Sequence, residues 1–264
     1  MRVIRFQDDQ GRILWGEELG DGSVNVITAD EFQPTGETAS VSKLLAPVEP
    51  VNIFCIGANY REHAKESGAD IPKNPVIFMK PTTAVNNPGD PILLPKACVN
   101  GPEVDYECEL AVIIGKECSD VSEEDALNYV RGYTAANDVS ARKWQKQGGG
   151  GQWIRGKSFN TFCPLGPAMI TADEMPDPQT LRLGTTLNGQ VMQDHTTADM
   201  IFSVRTLISF ISRDTTLLPN TVILTGTPQG VGFARTPPVT LNDGDEVTIE
   251  VEKIGKLTNP VQDA

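Results

Sequence analysis

The segment Val104-Asp-Tyr-Glu-Cys-Glu-Leu-Ala-Val-Ile-Ile-Gly115 constrains this chain more than any other. Its β-branched, apolar end reads as a buried strand, and residues i and i+2 of a strand point to one face. Glu107 and Glu109 therefore project together beside a core. Like charges held a few ångströms apart and partly desolvated must take up a proton or be neutralised by a cation. Hard oxygen ligands of this kind suit Mg²⁺, Mn²⁺ or Ca²⁺. A lone Glu-x-Glu on an edge strand is commonly two solvated glutamates, so the motif gains meaning only from its companions.

Around this strand the chain reads as α+β and predominantly β. Nineteen prolines and twenty-four glycines among 264 residues, with few long helical patterns, favour many short strands joined by tight turns. Residues 1–48 read as a small N-terminal β-module, with strands near Val3–Phe6, Ile13–Glu17 and Ser23–Val26 and turn signals at Gln10-Gly11 and Asp21-Gly22. The Pro47–Pro50 stretch marks a boundary, leaving 49–264 as the larger, catalytic domain. There the pattern predicts a buried strand over 51–57, a short helix near 59–67 and a linker over 81–95. A helix is expected from Ser122, where Ser-Glu-Glu-Asp makes a capping box and Gly132 a stop. Strands follow near 133–138, 181–187, 222–225 and 246–251, with one amphipathic helix at 203–212. The glycine run 148–151 reads as a flexible loop; without a preceding strand or a following Gly-Lys-Ser/Thr it is no phosphate cradle.

A net charge of −13 and a pI near 4.6 exclude a nucleic-acid surface, which needs clustered Lys and Arg. They leave room for a small anionic substrate, because a divalent ion and a few local cations invert the potential of one pocket. The charged N-terminus has no apolar h-region, and no apolar run approaches the roughly 20 residues that span a bilayer, so neither signal peptide nor membrane is expected. Five cysteines without a Cys-x-x-Cys pair suit reduced thiols, and a cytoplasmic location is the expectation.

Asp138, at the end of an apolar strand, would by itself be a turn or cap residue. Together with Glu107 and Glu109 it supplies three oxygens to an octahedral ion and leaves positions for water and substrate. His63 and Glu66, three apart on a short helix, meet on one face, where the carboxylate orients the imidazole. His195 lies in a polar segment and reads as structural or exposed.

Seven segments in order, Gly57-Ala-Asn-Tyr-Arg-Glu-His-Ala-Lys-Glu66, Phe78-Met-Lys-Pro81, Asp105-Tyr-Glu-Cys-Glu-Leu110, Asn137-Asp-Val-Ser-Ala-Arg142, Gly156-Lys-Ser-Phe159, Cys163-Pro-Leu-Gly-Pro167 and Leu224-Thr-Gly-Thr-Pro-Gln-Gly-Val-Gly232, resemble the fumarylacetoacetate hydrolase family. The likeness is to its short, domain-containing members and covers residues 51 to the end. It implies a coiled mixed β-roll with a small N-terminal β-domain, assembled as a homodimer. It also implies that Glu107, Glu109 and Asp138 bind Mg²⁺ or Mn²⁺, with Ca²⁺ able to stand in as a crystallisation substitute. By the same resemblance Arg142, Gln145 and Thr227 contact substrate, and Lys157 is catalytic. His63 and Glu66 would lie on a mobile lid and activate water. Beside a bound ion, Lys157 is expected to have a depressed pKa and to exchange a proton with a carbanion.

The resemblance implies a 2-oxo acid held through its carboxylate and 2-oxo oxygen, with an enolate stabilised across C2–C3. Hydrolysis of the C–C bond in a 2,4-diketo acid such as an acylpyruvate or fumarylpyruvate is the leading expectation. The alternative is an oxaloacetate decarboxylase, or a keto–enol tautomerase of oxaloacetate or a 2-hydroxymuconate-type acid. A non-catalytic scaffold is disfavoured, since a decayed enzyme would have lost at least one of His63, Glu66, Glu107, Glu109, Asp138, Arg142 and Lys157.

Overall fold

A computed structural model describes residues 1–19, 23–99, 101–148 and 153–264. The Asp21-Gly22 turn signal and residues 149–151 of the glycine run lie outside them. A twelve-stranded sheet dominates. From one edge to the other its path runs Pro34–Ala39, Val24–Ile27, Ile13–Glu18, Arg2–Gln7, Cys163–Thr171, Val130–Asn137, Cys108–Ile114, Val222–Leu224, Ile53–Gly57 and Val76–Lys80. Lys43–Leu45 and Val85–Asn86 pair beside it. The N-terminal strands continue this sheet, since Arg2 and Val3 pair with Ile170 and Met169.

A second sheet, in the order Gln190–Thr196, Arg182–Leu187, Glu246–Val251, Gly255–Asp263 and Ile92–Leu94, lies over the first. Alternation explains how they join. Leu183 and Leu187, with Val247, Ile249 and Val251, point inward and share a core with Cys108, Leu110, Val112 and Ile114. The opposite parity of the same strand sends Ala111 and Ile113 into a second core with Ile53, Cys55, Phe78 and Leu224. Glu107 and Glu109 belong to that second face, so the carboxylates start where an apolar stripe ends. Four short helices complete the frame: α1 (Arg61–Glu66), α2 (Arg142–Lys146), α3 (Ile154–Lys157) and α4 (Val204–Ile211). The Ser203 hydroxyl caps α4 by accepting from Thr206 N, and Val204, Leu207, Ile208 and Ile211 bury one face.

Two expectations are corrected. Ser122 Oγ does accept from Asp125 N at 3.1 Å, as a capping box predicts. The chain nevertheless makes only a 3₁₀ turn over Ala126–Tyr129 and enters a strand at Val130. Gly132, read as a helix stop, lies inside that strand, where a Cβ would come 2.4 Å from Ile170 O. Pairing on both edges, with Cys108–Ile114 and Cys163–Thr171, outweighs the local helix signal. The linker over 81–95 instead supplies two strands, Val85–Asn86 pairing with Cys163 and Pro164, and Ile92–Leu94 pairing with Val261–Asp263.

Candidate active site

Glu107 immediately precedes the strand Cys108–Ile114, and Asp138 follows its neighbour Val130–Asn137, so antiparallel pairing brings them together. Asp138 N donates to Glu107 O at 3.0 Å, and Glu107 N donates to Asn137 Oδ1 at 3.0 Å. Carboxylate oxygens of Glu107, Glu109 and Asp138 all lie within 4.8 Å of one another, and all three residues are buried.

Cations close around them. Lys157 Nζ reaches Glu107 Oε2 and Asp138 Oδ2, both at 2.7 Å. Arg142 Nη1 donates to Glu107 Oε1 at 2.6 Å and to Gln145 Oε1 at 3.1 Å, while its Nε donates to Asp105 Oδ2 at 2.8 Å. Lys80 Nζ is 2.6 Å from Asp138 Oδ1 and donates to the carbonyls of Val139, Lys157 and Phe162. Because Lys80 spends its three protons on carbonyls, Asp138 Oδ1 is left without an aligned donor.

Four carboxylates, Asp105 included, thus face three cations. Burial pushes up the Glu107 pKa, but Lys157 and Arg142 outweigh it and hold the value down at about 2. Glu109 takes the opposite course: burial, then Asp138 and Glu107, push it well above the usual carboxylate range. Its firm contact is from Gly226 N to Oε2 at 2.6 Å. Gly226 has φ +98°, and a Cβ there would sit 2.7 Å from the Asn59 side chain, so only glycine presents this amide to Glu109. Lys157 lies between two of these carboxylates. Burial works to lower its pKa, but Asp138 and Glu107 raise it further.

A hard, all-oxygen donor set with one oxygen lacking an aligned donor and one carboxyl driven toward protonation fits a divalent ion. Glu107, Glu109 and Asp138 are the residues that would hold it.

Above the seat lies a cavity of about 400 Å³. His63, Glu66, Glu107, Arg142, Gln145, Lys157 and Thr227, seven of the nine residues singled out from the sequence, all line it. Glu109 and Asp138 lie behind Glu107. His63 Nδ1 and Glu66 Oε2 are 3.2 Å apart at the rim. α1, which carries them, is pinned at its start: Asn59 Nδ2 donates to the Phe202 and Thr225 carbonyls, and Arg61 donates to Asp199 O and Met200 O. Its end is tied by Gly230 N, which donates to both Glu66 oxygens at 2.9 and 3.1 Å. That bond and the His63 contact hold the Glu66 pKa below normal despite the opposing effect of burial. His195 stands outside the cavity, 3.2 Å from Asp199 Oδ2 and against the Tyr60 ring.

Three positioning residues escaped the sequence reading. Lys80 is one. Asp105 is the second: it accepts from Arg142, Gly232 N and Phe233 N, fixing the guanidinium and one wall together. Gln193 is the third. Its Oε1 accepts from Cys108 N at 3.0 Å and its Nε2 donates to Thr227 Oγ1 at 2.9 Å, so one buried amide joins the Glu-x-Glu strand to the Thr227 turn. All three lie in or beside quoted motifs or polar turns, but the partners named here are 34 to 128 residues away in sequence, beyond the reach of local patterning.

Comparison with known proteins agrees with this geometry. Residues 52–262 match the model of the fumarylacetoacetate (FAA) hydrolase C-terminal domain. A Homo sapiens protein named oxaloacetate tautomerase FAHD2A, mitochondrial, is 46% identical over 99% of this chain and 91% of its own. Among solved structures, a 5-carboxymethyl-2-hydroxymuconate delta-isomerase from Mycobacterium smegmatis superposes with TM-score 0.87 at 39% identity, covering 100% of both chains. A fumarylacetoacetate hydrolase from Exiguobacterium antarcticum superposes with TM-score 0.88 at 36% identity, again over 100% of both. The chain belongs to the fumarylacetoacetate hydrolase family. It has the mostly β fold of that family's enzymes, and it carries a buried acidic triad of its own.

The expected cytoplasmic location is overturned by the curated relatives, whose names place them in mitochondria. The thiol argument could not separate the two compartments, since reduced cysteines are compatible with either. Among the described residues no helix is long and apolar enough to cross a membrane.

Proposed function

We propose that this protein is a divalent-metal-dependent keto–enol tautomerase acting on oxaloacetate or a closely similar dicarboxylic 2-oxo acid. The observation that carries this reading is the buried carboxylate triad beneath a cavity lined by a His–Glu pair and an ammonium group. The isomerase and tautomerase names of relatives similar over the whole chain support it over C–C bond hydrolysis.

A bound Mg²⁺ or Mn²⁺ would supply a Lewis acid that favours negative charge on the 2-oxo oxygen of the substrate. The protein's own residues then have separate tasks. Arg142, locked by Asp105, and Gln145 orient the substrate carboxylate from one side, and Thr227, locked by Gln193, does so from the other. Lys157 is held as an ammonium by Glu107 and Asp138, and offers fixed positive charge at the cavity floor. His63 takes the proton from C3 and Glu66 steadies the resulting imidazolium. One proton leaves C3 and one arrives at the oxygen, so the conversion is balanced without any co-reactant.

The decisive measurement follows the enol absorbance of oxaloacetate with Mg²⁺, then with chelator, while pyruvate release is assayed in parallel. The proposal requires metal-dependent interconversion without matching pyruvate. Pyruvate formed in step with loss of enol would instead indicate decarboxylation. A second reading, hydrolysis of an acylpyruvate, is favoured by the His63–Glu66 contact, which suits activation of water equally well. Release of pyruvate and a carboxylic acid from an acylpyruvate, with oxaloacetate left unaccelerated, would establish it.

Assembly as a homodimer belongs to the same proposal. The edge strand Val76–Lys80 exposes Val76, Ile77 and Met79, a surface suited to a second copy. Light scattering on the eluted protein at twice the monomer mass is the expected result.

A further inference from the structure

Three Lys or Arg side chains line the cavity: Arg142, Lys146 and Lys157. Two are already engaged. Arg142 spends its guanidinium on Asp105, Glu107 and Gln145, and Lys157 spends its ammonium on Glu107 and Asp138. Lys146 differs. Among the described residues no carboxylate forms an ion pair with it, and its Nζ rests 3.9 Å from the centre of the Phe233 ring. Phe233 is itself anchored, its backbone N–H donating to Asp105 Oδ2 at 2.9 Å. The carboxylate that fixes Arg142 therefore also fixes the ring under Lys146. A cation–π contact at so open a position is weak, enough to aim the ammonium but not to satisfy it. Partial desolvation and the charge of Arg142 lower its pKa, and the more distant charges of Glu107 and Asp105 oppose this without reversing it.

We propose that Lys146, steered by Phe233, receives the second carboxylate of the substrate and so selects dicarboxylic over monocarboxylic 2-oxo acids. The inference rests on the reading of the site as one for 2-oxo acids and adds the element that discriminates among them. Lys146 lies one residue beyond Gln145 at the end of α2, one helical turn from Arg142, and lines the same cavity. A flexible ammonium has three donors to offer a carboxylate oxygen, and among the described residues Lys146 has no ion pair to give up.

The test uses the full chain with Mg²⁺ as wild type, Lys146→Met and Lys146→Arg. Three quantities are read: kcat and KM for oxaloacetate, the inhibition constant of pyruvate, which lacks a second carboxylate, and calorimetric binding of both compounds. Lys146→Met should raise the KM for oxaloacetate about tenfold, the loss of one charge-assisted contact, with kcat within about threefold. Pyruvate inhibition should stay within about twofold, and Lys146→Arg should recover most of the lost affinity. Because Lys146 is exposed, the thermal midpoint should hold. An unchanged KM for oxaloacetate, or an equal weakening of pyruvate, would overturn the role of Lys146 while leaving the 2-oxo acid reading intact. Absence of Mg²⁺-dependent binding of either compound by the wild type would overturn both.

Discussion

Glu107 at the floor of the cavity, with Glu109 and Asp138 behind it, keeps like them at most 8% of its side chain in contact with solvent, whereas His63 and Glu66 on the rim keep 17% and 24%. In this buried seat Glu107 and Asp138 are each held by two cations from other elements, and removing either carboxylate strands charge in low dielectric. On the rim the pair depends on a single six-residue helix fastened by backbone contacts. The floor is therefore the costly, preformed part that can seat a cation. The rim can be altered with little effect on the fold, and that is where one member of a family can come to move a proton and another to activate water.

Asp138→Ala should have the largest effect. It strands Lys80 and Lys157 in the core, and breaking such buried pairs costs about 3–5 kcal/mol, with metal-dependent activity falling on the order of 10³-fold or more. Glu109→Gln should abolish activity equally yet leave the metal-free protein as stable as the wild type. Its carboxyl is already pushed toward the neutral form, and an amide oxygen can still accept from Gly226 N. Urea midpoints without metal, read beside Mg²⁺-dependent rates, separate the two variants. Equal destabilisation would break the argument that Glu109 is the uncompensated charge.

On the rim, the two histidines form an internal control. Each has a carboxylate 3.2 Å away, but only His63 lines the cavity. His63→Gln should lower kcat about 10²- to 10⁴-fold, the usual contribution of a positioned general base, with no loss of metal binding. His195→Gln should leave kcat nearly unchanged. Comparable losses would mean that the pair acts through the packing of α1 and not through proton transfer.

Gln193→Ala probes the link between floor and rim at smaller amplitude. It leaves Cys108 N without an acceptor and frees Thr227, costing about 1–3 kcal/mol in stability and raising KM more than it lowers kcat. Gln193→Glu keeps the acceptor for Cys108 N and loses the donor to Thr227, so it should restore stability more than KM.

Glu107, Glu109 and Asp138 were legible because strand alternation and an Asp at a strand end are local signals. His63 and Glu66 were legible for the same reason, through helical spacing. The roles of Lys80, Asp105 and Gln193 were not, because a side chain's identity does not reveal which distant carbonyl or amide it meets. The misread helix after Ser122 has the same origin: the cap is real, but its continuation is decided by two neighbouring strands. The strands hidden in 81–95 were lost because each is two or three residues long and takes its order from a partner about 80 or 170 positions away.

The smallest effect concerns pH at the rim. Burial alone would raise the Glu66 pKa, but the His63 contact and the Gly230 amide bring it below its ordinary value of 4.5. A carboxyl whose pKa is lower folded than unfolded stabilises the fold above the unfolded value, and that contribution fades as pH falls through the folded one. The hold of Glu66 on Gly230 N should thus be complete at neutral pH, begin to weaken near pH 4.5 and vanish only below the depressed folded value. Amide exchange at Gly230, compared between wild type and Glu66→Ala, reads this directly. The two proteins should differ at neutral pH and converge in acid. The absence of a difference at neutral pH would mean α1 is held by Asn59 and Arg61 alone, and the rim would then be as rigidly preformed as the floor.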